Sequence, residues 1–348
     1  MKETRKFYLL EFGRGIAAIL VLLFHIDRYY FNSDKYWADD LIGGIFRFGH
    51  SGVQFFFVLS GFIMIWAHYD DLGRTDKIYN FLVKRFIRIY PMVWLTVGVS
   101  ALLYVASGSG NPTYHQPLFI LQSLLLVGRE PLGTINFPTW TLWHENLFYF
   151  ACVMIIARPR IGLAVLALWS IACISVTGLM GSRADTFYVL RPENSLFALG
   201  VACAYWLRKR RVVYPSAILA IGAAIFFVFG VSTNARLGDF ASDNFVYGIS
   251  SVLIIIGGVE AQRQNPLVFP SSFAILGTLS FPLYLTHMIT LPFVAKALRL
   301  FGATQWMPTS LAGMIMAVAS IIVALLVHRI FERPVTDWLQ QNWIGRLR

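Results

Sequence analysis

Apolar residues come in long blocks separated by short charged segments, at about 8–30, 52–68, 91–107, 118–128, 139–157, 161–179, 193–207, 213–231, 245–260, 273–295 and 309–327. Most are long enough, as helices, to cross about 30 Å of hydrocarbon. The exception is 118–128, too short for a span of about 20 residues. The pattern predicts an all-α fold, a polytopic membrane helix bundle filling a single integral-membrane domain over 1–348. No soluble domain of useful size fits between the blocks.

The charged segments decide how the blocks cross. With the N-terminus inside, segment 69–90 is inside too and carries Arg74, Lys77, Lys84, Arg85 and Arg88, while Asp34, Asp39 and Asp40 fall outside. If 118–128 crossed, Arg208-Lys209-Arg210-Arg211 would be forced outside, against the positive-inside rule. Treating 118–128 as a re-entrant or interfacial helix restores the pattern, giving about ten transmembrane helices with both termini cytoplasmic. Met1 to Lys6 form a basic stub with no small-residue cleavage site after the block that follows, so that block is read as a first span rather than a removed signal peptide. Within 74–90, Ile78, Phe81, Leu82, Phe86 and Ile89 alternate with basic residues, the pattern of a cationic amphipathic helix lying at the inner surface.

Composition agrees: 57% of residues are hydrophobic and 14% charged, against about 25% charged in soluble domains. Aromatic residues, at 16%, suit interfacial belts. The net charge of +11 sits in short segments between apolar blocks, which orients spans and argues against nucleic acid as a partner. Cys152, Cys173 and Cys203 lie inside apolar blocks without metal-ligand spacing, as small core residues do; no metal site is expected.

Ionisable residues inside a membrane are costly and mark cavities or reaction sites. In the first block Arg14 and His25 are eleven positions apart, three turns plus about 20°, so they leave the helix from one face, about 16 Å apart along the axis. Glu11, one turn before Arg14, is placed to pair with it. His144 and Glu145 lie a few residues into the fifth span. Tyr284 and His287, three apart, share a face of the 273–295 block, which also holds Ser280. The closing His328 to Pro334 segment reads as an inner-surface anchor. No Gly-rich phosphate loop, His-Glu-x-x-His pair or nucleophile elbow is present, so any chemistry must come from residues gathered by different spans.

These residues fall in segments that resemble the acyltransferase 3 family of bacterial membrane acyltransferases. The resemblance is carried in order by Arg14-Gly15-Ile16-Ala17-Ala18 running on to His25, by Gly52 to Phe62, by Lys84-Arg85-Phe86-Ile87-Arg88-Ile89-Tyr90-Pro91, by Trp140 to Tyr149, by Ser280 to His287 and by Glu332-Arg333-Pro334. It spans residues 10 to 334 and is similar in type to the exopolysaccharide acetyltransferases and Nod-factor modifying enzymes. Gln54 and Leu196 stand where the family commonly carries acids, so neither position is assigned a charge; His144 is not a general family feature.

The resemblance implies an O-acyltransferase of the bacterial inner membrane. It would move acetyl, or another small acyl group, from acyl-CoA to a sugar hydroxyl of a surface or exported polysaccharide or its lipid-linked precursor. Acyl-CoA is then a co-substrate, and no tightly bound cofactor is implied. Arg85 and Arg88 are expected to bind the donor's phosphates, with Ser60, Tyr284 and His287 lining the substrate path. His25 is expected to be the general base, Glu145 to orient it, and Arg14 to steady the thioester or oxyanion. The rival expectation is a transporter or flippase for a lipid-linked saccharide, since buried charges also mark transport paths.

Overall fold

The computed structural model describes residues 7–31, 36–37, 39–108, 112–127, 133–180, 188–234, 240–266 and 272–344. The basic stub Met1 to Lys6, Asp34 and the last four residues of the C-terminal tail lie outside that set. Every element among the described residues is helical: α1 (Tyr8–Ile26), α2 (Gly52–His68), α3 (Ile78–Ser107), α4 (Pro117–Leu125), α5 (Trp140–Ala157), α6 (Pro159–Met180), α7 (Ser195–Lys209), α8 (Pro215–Thr233), α9 (Phe240–Gln264), α10 (Phe273–Leu300), α11 (Ala303–Trp306), α12 (Thr309–Val327) and α13 (Arg333–Leu339), joined by short turns.

Eight of the described helices are long and apolar enough to cross a membrane: α1, α2, α3, α6, α8, α9, α10 and α12. The two others counted from sequence fall short by these measures. At 15 residues α7 rises only about 22 Å. In α5, His144, Glu145 and Asn146 dilute the apolar character.

Contacts between connections sort the bundle into two ends. At one end the Phe7 and Trp66 rings meet at 5.6 Å, the Gly73 N–H donates to the Ile156 carbonyl at 2.7 Å, and Arg263 donates to the Leu207 carbonyl at 2.9 Å. This end carries the basic segments around Arg74, Arg158 and Arg208–Arg211, and is called the basic end below. At the distal end, Asp27 accepts the Leu41 N–H at 2.6 Å, Asn234 donates to the Ile45 carbonyl at 3.1 Å, and Asn136 donates to the Leu285 carbonyl at 3.0 Å. The sorting agrees with the alternation deduced from charge.

Two local expectations resolve differently. The short block is re-entrant: α4 lies along α3, with Tyr114, just before α4, packed on Tyr104 at 4.9 Å, while Trp94 donates to the Leu124 carbonyl at 3.2 Å. The helix thus descends from the distal end toward the middle of the bundle. Ser123, within α4, accepts the Ile135 N–H at 3.5 Å. The surface helix proposed for 74–90 is a correction. Residues Ile78–Ser107 form one continuous helix of 30 residues, with Pro91 inside it, so the basic turns are the first turns of a span and carry Arg85 and Arg88 into the bundle.

The site's framework is two helix pairs. Helices α1 and α10 run parallel, because Gly15 lies against Leu276 and His25 lies against His287. A Cβ on Gly15 would stand 2.9 Å from the Leu276 backbone carbon, so only glycine permits this approach. Helices α2 and α7 cross where Gly61 and Gly200 each leave no room for a Cβ beside the other helix's backbone. That close crossing shelters the short α7, with Leu196, Phe197, Ala204 and Leu207 buried.

Candidate active site

Two cavities follow one another along the bundle interior. The first, nearer the basic end, has a volume of about 160 Å³ and is lined by residues of α1, α2, α3, α5 and α10, among them Arg14, Ser60, Arg85, Arg88, Glu145 and Tyr284. Its charges are held by specific partners. Arg14 pairs with Glu11 at 3.3 Å, as the one-turn spacing predicts. Arg88 pairs with Glu332 at 3.2 Å and lies over the Phe281 ring at 4.9 Å. Glu332, 5% exposed, also accepts from His328 at 2.7 Å. Glu145 accepts the Tyr149 hydroxyl at 2.6 Å and Ser60 at 3.2 Å. Three guanidinium groups and the Glu145 carboxylate meet across this lining, with Glu11 and Glu332 holding two of the arginines.

The second cavity, about 360 Å³, lies toward the distal end and is lined by His25, Tyr29, His50, Gln54, Trp140 and Glu193 among others. Val53 and Tyr284 line both cavities, so they form the partition between them. The Tyr284 hydroxyl meets Thr141 Oγ1 at 3.1 Å.

His25 is 5% exposed, and its hydrogen bonds fix its tautomer. His287 Nδ1 lies 3.0 Å from the Leu283 carbonyl, an oxygen that only accepts, so this nitrogen carries the proton. In the neutral ring His287 Nε2 is then an acceptor. It lies 3.1 Å from His25 Nδ1, which must therefore donate. What remains is a lone pair on His25 Nε2, the form a general base needs. Tyr29 stacks on the His25 ring at 5.7 Å and 6°, and Phe24 and Phe137 pack edge-on.

The structure brings the predicted residues together as two groups rather than one. Arg14, Ser60, Arg85, Arg88, Glu145 and Tyr284 line the first cavity; His25 and Tyr284 line the second, with His287 bonded to His25. Glu145 does not hold the imidazole as expected: its bonds go to Ser60 and Tyr149, and the His25 partner is His287. Arg14 opens into the first cavity, about 16 Å of helix rise from His25, which puts an oxyanion formed beside that ring out of its reach. Glu332 is more than the expected surface anchor, since it fixes an arginine inside a cavity.

Several residues escaped the sequence reading. Buried Asp27 accepts the Leu41 N–H and pairs with Arg47 at 3.4 Å, and Arg47 also bonds Asp40. This ties down the strap that carries His50. Arg191, Glu193 and Asn194 come from the turn before α7. A polar Arg-Pro-Glu-Asn string at the start of the 193–207 block was the available signal.

Against a family model described as an acyltransferase domain, the chain matches over residues 7–329. The chain belongs to this acyltransferase family. The acyltransferase is 27% identical over 313 residues to exopolysaccharide production protein ExoZ of Rhizobium meliloti (strain 1021), covering 86% of this chain and 93% of that protein. It is 24% identical over 359 residues to acyltransferase MdmB of Streptomyces mycarofaciens, covering 92% and 89%. It is 23% identical over 333 residues to nodulation protein 10 of Rhizobium leguminosarum bv. viciae, covering 86% and 84%. No solved structure matches it.

Proposed function

We propose that this acyltransferase moves a small acyl group from acyl-CoA to a hydroxyl of an exported saccharide, with the donor entering at the basic end and the acceptor at the distal end. The observation that carries the reading is the hydrogen-bond chain from the Leu283 carbonyl through His287 to His25, which leaves a base nitrogen beside the partition between the two cavities.

The arginine-lined cavity is the donor's. Its cations suit the phosphates of coenzyme A, which lies in the cytosol, and the positive-inside rule puts the basic end on that side of a bacterial inner membrane. The pantetheine arm passes Val53 and Tyr284 to bring the thioester to His25. His25 Nε2 takes the proton from the acceptor hydroxyl as its oxygen bonds to the thioester carbonyl carbon. The Tyr284 hydroxyl, at the partition, donates to the developing oxyanion. The tetrahedral intermediate collapses with cleavage of the C–S bond, and the imidazolium returns its proton to the thiolate. An ester and free coenzyme A are the products.

A saccharide acceptor is supported by the likeness to exopolysaccharide production protein ExoZ, which extends along most of both chains. The test is labelling of polysaccharide in membranes that contain the chain, using acyl-labelled coenzyme A. Label must enter polysaccharide only when acyl-CoA is supplied and His25 is intact. A flippase would move its saccharide without the donor, and that result would replace this reading.

A further inference from the structure

A separate cavity opens at the basic end, where the start of α1, the end of α2, the α7–α8 connection and the end of α9 meet. It measures about 540 Å³ and is lined by Phe7, Trp66, Arg211, Glu260, Arg263 and Gln264. It shares no lining residue with either interior cavity, and none of these side chains takes part in acyl transfer as derived above.

Its walls are fixed by bonds that cross between helices. Arg263 donates to the Leu207 carbonyl at 2.9 Å and to Glu260 at 3.0 Å. Gln264 donates to the Val212 carbonyl at 2.6 Å, which ties the α7–α8 connection to α9. Arg208 donates to the Trp66 carbonyl at 2.5 Å. The guanidinium groups of Arg208 and Arg263 lie over the Trp66 ring at 4.2 and 4.7 Å, so one indole positions two cations. Arg208 also lies over the Tyr69 ring at 4.8 Å.

The charge of this corner does not balance. Glu260, 3% exposed, is shared by Arg263 at 3.0 Å and Arg211 at 3.6 Å. Among the described residues Arg208 meets a carbonyl and aromatic rings but no carboxylate. Three guanidinium groups against one carboxylate leave a surplus of two positive charges. The undescribed segments that adjoin α1, α9 and the C-terminal helices, 1–6, 267–271 and 345–348, carry Lys2, Glu3, Arg5, Lys6, Arg346 and Arg348. Together they are cationic as well, so they add no net counter-charge.

Phosphate oxygens suit unbalanced guanidinium groups, which bind them through paired N–H donors. The surroundings say where the phosphate comes from. Val213 and Tyr214, in the same connection as Arg211, are 76% and 75% exposed. Trp206, in the last turn of α7, is half-exposed too. Aromatic side chains at the end of a span lie at the level of the lipid headgroups. A soluble phosphate has no use for that apolar rim, whereas a phospholipid covers it with its glycerol and upper chains. Basic pockets between spans are known to hold such headgroups.

We propose that this corner binds one anionic phospholipid that carries two phosphate groups. Arg208, Arg211 and Arg263 meet the phosphates, whose two negative charges match the surplus, and the chains pass over Val213 and Tyr214. The bound lipid bridges α2, α7 and α9 at the membrane surface.

The test is native mass spectrometry of the full chain, delipidated in detergent and titrated with cardiolipin, phosphatidylglycerol or phosphatidylethanolamine. Cardiolipin, with two phosphates, should fill one saturable site at least tenfold more tightly than phosphatidylglycerol, with one. Arg211→Gln should weaken cardiolipin about fivefold, as for one cation near a lipid surface. The Arg208→Gln, Arg211→Gln double variant cancels the surplus and should bind the two lipids alike. Arg333→Gln, at an exposed arginine of α13 outside the pocket, should change nothing. Excess inorganic pyrophosphate or coenzyme A should not displace the lipid. If the double variant fails to fold, the order of lipids in wild type and the Arg211→Gln result decide. Equal affinity of wild type for cardiolipin and phosphatidylglycerol, or unaltered binding in Arg211→Gln, would overturn the proposal. Displacement by pyrophosphate would make the corner a soluble-phosphate site, and displacement by coenzyme A alone would give it to the donor; either result overturns the lipid assignment.

Discussion

The two cavities of this acyltransferase are neighbours on the same helices, yet they are built on opposite electrostatic plans. The one near the basic end presents Arg14, Arg85 and Arg88 against Glu145, with Glu11 and Glu332 holding two of the arginines. The distal one, among the described residues, holds the Arg191–Glu193 pair and offers His25, the Gln54 amide and aromatic rings. One gathers ion pairs drawn from several helices, the other aromatic rings and imidazoles. The parallel α1 and α10 connect them: Arg14 and Ser280 face the first, His25 and His287 sit level with the second, and Tyr284 borders both. A transferase can use this division, because its two substrates must enter separately and meet at one atom.

Loss of the base should break the distal half outright. His25→Ala is expected to lower acyl transfer by about 10²–10⁴-fold, the usual contribution of a positioned general base, with membrane insertion unchanged. Normal acylation of polysaccharide in that variant would remove His25 from the mechanism. Tyr284→Phe tests the partition. It keeps the ring and deletes the hydroxyl, so kcat should fall by roughly 10²-fold, as for other single oxyanion donors, while the donor's KM moves little. A change confined to KM would make Tyr284 a wall and nothing more. His287→Ala should lower kcat by a similar or smaller factor and alter the pH profile, since the imidazole would lose its buried neighbour and keep only the Val21 carbonyl as an acceptor. An unaltered pH profile would make the His287 contact a packing one.

The halves of the site were not equally legible in the sequence. Arg14 stands out because charges in apolar blocks are rare, Arg85 and Arg88 because they fall in the Lys84 to Pro91 segment that carries the family resemblance, and Glu11 is one turn from Arg14 by simple helix geometry. The all-helical bundle was readable for the same reason, through block length. What sequence could not supply was register between helices. Whether Glu145 or His287 reaches His25 depends on how α1, α5 and α10 are rotated and offset, and that is set by close approaches at Gly15 and at Gly61 with Gly200. The surface-helix expectation for 74–90 failed because amphipathic spacing is shared by a helix lying on a membrane and by one entering it with its basic face turned to an interior cavity. Glu332 looked like an anchor because its partner, Arg88, lies 244 residues away in the chain.

The basic-end cavity should respond more gently, through affinity. Arg85→Ala should raise the KM for acyl-CoA about tenfold or more, since a hydrogen bond to a charged group contributes about 1.5–3 kcal/mol, with kcat nearly unchanged. Arg88→Ala should do the same, and it should also reduce the yield of folded protein, because it strips a buried Glu332 of one of its two partners. Glu332→Gln is the mildest of the set. It touches no substrate and keeps a neutral acceptor near Arg88, so the donor's KM should rise only a few-fold. Glu332 acts by holding Arg88, so the Arg88→Ala, Glu332→Gln double variant should be no worse in KM than Arg88→Ala alone. Additive effects would mean that Glu332 reaches the donor independently, and the donor cavity would then extend to the start of α13.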